Sequence, residues 1–230
     1  MSETVKLSPR LEAAASFVRK GSKVADVGTD HAYLPIYLIS NDVAVYAVAS
    51  DVLDGPVERA AANVAKFPEC ADRITVIKAN GLERVSEHSP DCVMICGMGG
   101  ELIAEIISAS SYVRDPRVYL ILQPMTKEER LRGYLYSSGF DVYDEFIAIE
   151  GEKAYQIIAA RYDGIRRAFT EAEALLGKIN IEKRSIGLKR LIEKKSLVLK
   201  TKISGHRAAG LDASDVCALL DEIEKIGENL

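Results

Sequence analysis

Apolar residues fall in two rhythms along this chain. Up to about residue 162, short unbroken runs of β-branched and small apolar side chains alternate with stretches of helical spacing; from Ile165 onward only the helical spacing persists. The runs 23–27 (KVADV), 43–50 (VAVYAVAS), 73–78 (RITVIK), 91–96 (DCVMIC) and 117–123 (RVYLILQ) are bounded by polar residues and too short for buried helices. Each therefore reads as a buried parallel strand. Before them, Ser8 at an N-cap and Pro9 in a first turn start a helix with an apolar face of Leu11, Ala14, Ala15 and Val18, ended by Gly21. Between and after them, helices are predicted from Leu34 to Ser40, Asp54 to about Phe67, the end of the Gly97–Gly100 run to about Ala109, and Lys127 to Ser138. Phe140 to Glu150 and Ala154 to Arg161 form a hairpin around Gly151-Glu152-Lys153. The series predicts an α/β fold whose seven-stranded sheet has one reversed strand.

Phe169, Ala172, Leu175, Leu176 and Ile179 make one helical stripe, and Ile186, Leu188, Leu191, Ile192, Leu197 and Leu199 a second region. A polar break at Ser204-Gly205-His206 precedes a last helix capped by Ser214 or Asp215. Spacing near 3.5 to 3.6 reads as a helical hairpin or short coiled coil, so two domains are expected, 1–163 and 164–230. Charge sharpens that division. Net charge is −4 overall, yet residues 165–230 hold 13 Lys and Arg against 10 Asp and Glu, and Lys178 to Arg207 hold ten bases against Glu182 and Glu193 alone. A polyanion would approach from that side.

Composition otherwise excludes more than it suggests. No apolar run approaches the ~20 residues of a membrane span, and the opening Met1-Ser2-Glu3-Thr4-Val5-Lys6 lacks a signal-peptide pattern, so a cytoplasmic location is expected. Cys70, Cys92, Cys96 and Cys217 form no C-x-x-C, and with three histidines neither a metal centre nor a disulfide framework is indicated.

The candidate chemistry collects at the carboxyl ends of the strands. Asp26 to Asp30, Asp51, Asn80-Gly81, Gly97 to Gly100 and Gln123-Pro124 all stand there, and one open sheet brings such positions to a single crevice. Asp51 lies 25 positions after Asp26, where a ribose-binding carboxylate belongs in nucleoside-binding sheets. A dinucleotide loop would need G-x-G-x-x-G. Asp26-Val27-Gly28-Thr29-Asp30 offers one glycine and two acids, which repel phosphate. S-adenosylmethionine suits it better, with an ammonium and a sulfonium for the acids, a ribose diol for Asp51 and an adenine for Asn80.

Leu7-Ser8-Pro9-Arg10-Leu11, Asp26-Val27-Gly28-Thr29-Asp30-His31-Ala32-Tyr33-Leu34-Pro35, Gly97-Met98-Gly99-Gly100, Leu122-Gln123-Pro124 and Lys153-Ala154-Tyr155-Gln156-Ile157-Ile158 together closely resemble the TrmK family, bacterial tRNA methyltransferases that act on N1 of adenine 22. The resemblance covers residues 7 to about 162. It implies a class I, Rossmann-like S-adenosylmethionine-dependent methyltransferase fold, with tRNA as acceptor. The chain departs from the family pattern at Asn80, where Asp is expected, at Asp51, where Glu is commoner, and at Met125, where Asn usually follows Gln-Pro.

On strand-end position and resemblance, the expected cofactor contacts are Asp26, Gly28, Thr29, His31, Tyr33, Leu34, Asp51, Val52, Asn80, Gly81, Gly97, Met98 and Gly99. Asp30 is the candidate catalytic residue, a carboxylate to stabilise the cationic ring formed when adenine N1 is methylated. His31 and Tyr33 are candidates to orient or stack the base, Gly100, Gln123 and Pro124 are further candidates for substrate contact, and Arg10 is a candidate cation for the phosphates nearer the cleft. Lys183, Arg184, Lys189, Arg190, Lys194, Lys195, Lys200 and Lys202 are candidates to hold phosphates. No metal is expected, and the assembly expected is a monomer or weak dimer. A small-molecule methyltransferase and a catalytically silent RNA-binding adaptor are the rival readings.

Overall fold

The computed structural model describes residues 5–230. Seven strands form one sheet: β1 (Ser22–Val27), β2 (Ala44–Asp51), β3 (Ile74–Lys78), β4 (Cys92–Gly99), β5 (Tyr119–Thr126), β6 (Phe140–Glu150) and β7 (Lys153–Tyr162), in the spatial order β3-β2-β1-β4-β5-β7-β6. β7 runs antiparallel to both its neighbours and the other pairings are parallel, as the five βα units followed by a hairpin require. Because the chain leaves β1 toward β2 on one side and returns to β4 on the other, a crevice opens above the carboxyl ends of β1 and β4.

α1 (Pro9–Ala15), α2 (Tyr33–Ser40), α3 (Asp54–Val64) and α4 (Pro68–Ala71) cover one face of the sheet. α5 (Gly100–Ser108) and α6 (Glu128–Ser137) cover the other. Val24, Ala25, Val93, Met94, Leu120 and Ile121 are fully buried between these layers, which is why the central strands read as unbroken apolar runs.

α7 (Glu171–Leu176), α8 (Lys178–Glu182), α9 (Leu188–Ala208) and α10 (Ser214–Glu228) follow the sheet. α9 and α10 form an antiparallel hairpin, with Gly227 beside Ile192 and Lys200 paired with Glu224, and their core reaches Ile147 and Ala154 of the β6–β7 hairpin. A fully buried ion pair fixes this helical part to the sheet. Arg132 donates to Glu145 Oε1 at 2.6 Å, to Gln156 Oε1 at 2.7 Å and to the Ala174 carbonyl at 2.9 Å. The other Glu145 oxygen accepts from the backbone of Ile179 (2.9 Å) and Asn180 (3.3 Å). No helix among the described residues is long and apolar enough to cross a membrane.

Several boundaries differ from the sequence reading for identifiable reasons. The glycine run after residue 96 is a bulged continuation of β4: the register slips between Cys96 and Met98, and Gly97 takes up the slip at φ +86°. β5 likewise runs past Gln123-Pro124 to Thr126. α1 ends at Ala15, and α3 ends at Val64 because Pro68 forces Phe67 out of helical geometry, to φ −120°, ψ 72°. The expected break at Ser204-Gly205-His206 lies inside α9, where the Ser204 hydroxyl donates back to the Lys200 carbonyl at 3.0 Å. Neither Ser214 nor Asp215 caps α10; Asp212 Oδ1 accepts from the Ser214 amide (2.9 Å) and hydroxyl (2.6 Å). Ile186 stands in a connection, 99% exposed, and belongs to no stripe.

Candidate active site

β1 delivers Asp26 and Val27 to the crevice, and the next two amides, Gly28 and Thr29, both donate to the Ser50 carbonyl at 2.7 and 2.9 Å, turning the chain over the end of β2. The Thr29 hydroxyl accepts from Ala32 N–H at 3.0 Å and holds Ala32 in the left-handed region at φ 54°, from which α2 begins. The loop closes over a cavity of about 320 Å³ lined by Arg10, Asp26, Gly28 to Leu34, Cys96 and Gly97.

The two acids of the loop meet opposite environments. Asp26 is buried and, among the described residues, has no Lys or Arg within ion-pair distance. Burial pushes its carboxyl up to about 6, and nearby Asp51 adds to the rise, against a lowering from the Thr29 hydroxyl. Asp30 stands at the mouth, exposed. Arg59 on α3 donates to its Oδ1 through Nη2 at 2.5 Å and Nε at 3.1 Å, while His31 Nε2 lies 3.1 Å from Oδ2. These contacts, the Arg59 hydrogen bonds foremost, hold its carboxyl below the ordinary range. Asn63, one turn further along α3, donates to the His31 carbonyl at 3.1 Å, and the His31 ring stacks on Tyr33 with centroids 5.1 Å apart at 15°.

Across the cavity Arg10 is anchored from below. Its Nη1 donates to Gln123 Oε1 at 2.6 Å, and its guanidinium lies 5.8 Å from the centre of the Tyr155 ring. Gln123 is fully buried and its amide nitrogen is engaged by the Pro124 carbonyl at 2.9 Å. Among the described residues no group of three or more His, Cys, Asp or Glu is placed to hold a metal ion.

The chain and its fold have counterparts among known proteins. The family described as "Methyltransferase domain" matches residues 7–158. The tRNA (adenine(22)-N(1))-methyltransferase of Bacillus subtilis (strain 168) is 37% identical over 168 residues, 70% of each chain. The chain belongs to the TrmK family. The crystal structure of B. subtilis TrmK superposes with a TM-score of 0.80 at 29% identity over 97% of both chains. Streptococcus pneumoniae Sp1610, a putative tRNA (m1A22) methyltransferase in complex with S-adenosyl-L-methionine, gives 0.84 at 30% identity over 96% of this chain and 100% of that one.

Nine of the expected site residues of this TrmK chain line the one cavity: Arg10, Asp26, Gly28, Thr29, Asp30, His31, Tyr33, Leu34 and Gly97. Asp51, Val52, Asn80, Gly99 and Pro124 stand at neighbouring strand ends outside its lining. At four of the expected positions the structure shows what the residue packs against. A Cβ on Gly28 would meet Met98 Cε at 1.9 Å, so it is the Met98 side chain that this glycine admits at close range, and Met98 covers the loop instead of lining the cavity. Gly81 (φ +56°) backs onto Ile106 of α5. Gly100 is buried against the Lys127 carbonyl, which leaves no room for a side chain there. Gln123 has its amide occupied and supports Arg10 instead of facing an acceptor.

Sequence reasoning missed Arg59 and Asn63. Their spacing of four on α3 puts them on one helix face, but nothing local shows that the face looks back at residues 30 and 31. Among the tail cations, Lys183 pairs with Asp144, Arg190 with Glu152 (3.3 Å), Lys195 with Glu128 (2.9 Å) and Lys200 with Glu224 (2.8 Å).

Proposed function

We propose that this chain transfers the methyl group of S-adenosylmethionine to N1 of adenine 22 in tRNA, with residues 1–163 as the catalytic domain and 164–230 as a helical domain that helps hold the RNA. The observation that carries the reading is the buried Asp26, with no Lys or Arg within ion-pair distance among the described residues, beside Asp51 at the topological switch point. A carboxylate buried without a partner is poised for a cationic ligand and hostile to a phosphate. Membership of the TrmK family and the resemblance to relatives solved with S-adenosylmethionine or S-adenosylhomocysteine support the same choice.

When bound, the cofactor supplies a methyl group on a sulfonium. Asp26 would hold its ammonium, Asp51 would accept from its ribose hydroxyls, and Val52 and Leu53, 51% and 62% exposed, would offer apolar cover beside Asn80 for its adenine. The acceptor needs no general base, because adenine N1 is unprotonated at neutral pH and carries an in-plane lone pair. The base must leave its pair or stack to present that edge. The stacked His31–Tyr33 pair, Tyr33 45% exposed, is a platform for it, fixed by Asn63 and Asp30. Asp30, kept ionised by Arg59, faces the positive charge that develops on the ring. Arg10, braced by Gln123 and Tyr155, is placed to meet the target nucleotide's phosphate.

The test is methyl transfer from labelled S-adenosylmethionine to unmodified transcripts carrying adenine or guanine at position 22, followed by nucleoside mass spectrometry. N1-methyladenosine is expected with the adenine transcript alone. No incorporation, or a methyl group at another position, overturns the reading.

A further inference from the structure

The tail's cations are not equivalent. Lys183, Arg190, Lys195 and Lys200 are engaged in ion pairs that tie α8 and α9 to the sheet, to α6 and to α10. Those ties neutralise the charge a polyanion would need. Arg184, Lys189, Lys194 and Lys202 have no such pair among the described residues, and of these Lys194 and Lys202, with Val198 between them, follow the i, i+4, i+8 spacing of one face of α9, about 12 Å apart along the axis. That face forms one wall of a trough of about 840 Å³ between α6 and α9.

The opposite wall belongs to the catalytic domain and carries Lys127 and Arg130. Among the described residues, none of these four cations has a carboxylate within ion-pair distance. Two acids without such a partner, Glu129 and Glu171, share the lining, which leaves the trough an excess of positive charge. Its floor is apolar, with Phe169, Leu191 and Leu219. Lys127 also fixes where the trough begins. It follows directly on β5, four residues after the Gln123 that braces Arg10, or roughly 13 Å of extended chain.

We infer that this trough is the seat of the RNA backbone, gripped from both sides by Lys127 and Arg130 of the catalytic domain and Lys194 and Lys202 of α9. The inference rests on the tRNA reading above and places the grip between the domains, not on the outer face of the helical tail. A strand held there leads along the end of β5 to Arg10 and the cavity.

Binding of unmodified tRNA across a salt series tests it, with S-adenosylmethionine affinity measured alongside as the check on folding. Removing four phosphate contacts lowers the slope of log affinity against log salt by about three to four, and each contact by about 0.7–0.9. The quadruple Lys127→Ala/Arg130→Ala/Lys194→Ala/Lys202→Ala variant should lose at least tenfold in affinity at 0.1 M salt, with cofactor binding intact. The Lys127→Ala/Arg130→Ala pair alone should lower the slope by about one to two, which a grip confined to the tail does not produce. Lys20→Ala/Lys225→Ala, two exposed cations elsewhere, should leave the slope unchanged, and Glu129→Gln/Glu171→Gln should tighten binding. Wild-type slope and affinity in the Lys127/Arg130 pair, or equal losses in the Lys20/Lys225 control, overturn the trough. If the wild-type protein neither binds nor methylates tRNA, the functional reading itself has failed, a result distinct from either.

Discussion

Asp26→Asn separates two roles of one buried carboxylate. Asp26 is raised from 3.8 to about 6, chiefly by burial, so in the cofactor-free protein the folded state binds its proton more tightly than the unfolded chain does. Its contribution is therefore favourable below the unfolded value and is lost as pH rises through about 6. Between 3.8 and about 6 this difference in proton binding amounts to a penalty of roughly 3 kcal/mol at pH 8. Asn removes the charge and keeps the shape, at a desolvation cost of its own of about 1–2 kcal/mol. The cofactor-free variant should thus be more stable than the wild type at pH 8 by about 1–2 kcal/mol, or several degrees in a chain of this size. That advantage should disappear by about pH 4.5. Calorimetry should show S-adenosylmethionine binding weakened about 10- to 100-fold, as expected for loss of a hydrogen bond to a charged group. Near pH 6 the wild type should also release protons on binding cofactor, and the variant should not. A variant less stable than the wild type at both pH values, or one with unchanged cofactor affinity, refutes the argument.

Two further perturbations follow from the same electrostatics. Arg132→Ala strands Glu145 in a site with no exposure, and denaturant unfolding should report a loss of about 3–5 kcal/mol, whereas an unchanged midpoint would mean the pair contributes no net stability. Arg59→Ala removes the main cause of the lowered Asp30 value, so the acid limb of the methyl-transfer pH profile should move to higher pH with cofactor affinity preserved; an unmoved limb would detach Asp30 from the rate.

The sheet was legible because its signal is local. A central strand buried on both faces must be continuously apolar, and VAVYAVAS or RVYLILQ admits little else. The hairpin of β6 and β7 was equally plain from Gly151, at φ +58°, between two β-rich runs. What misled was glycine at strand ends. Gly97, Gly99 and Gly100 all read as open backbone for a ligand, but only Gly97, at the bulge, lines the cavity, while Gly99 continues the strand and Gly100 lets α5 pass under the Lys127 carbonyl. A glycine's position states that something comes close; whether a ligand or the protein's own chain does so is a property of the packed fold.

The charges show the same limit more sharply. Asp26 and Asp30 are the same residue type in one loop, four positions apart, yet one is buried without a cation and the other is exposed with two basic neighbours. The difference is made by Arg59, 29 residues on, and by α3 packing where its Arg59–Asn63 face reaches back over the loop. The tail repeats the lesson in reverse: eight basic residues looked alike, and half of them turn out to be engaged by acids drawn from α6, α10 and the β6–β7 hairpin. A sequence counts charges, while binding depends on those left uncompensated after folding. By that criterion the cations that matter for a polyanion include Lys127 and Arg130, which lie in a domain whose net charge is negative. On the reading proposed above, the acidity of residues 1–163 does not keep RNA from that part of the chain, because Lys127 and Arg130 leave positive charge on the trough wall opposite Lys194 and Lys202.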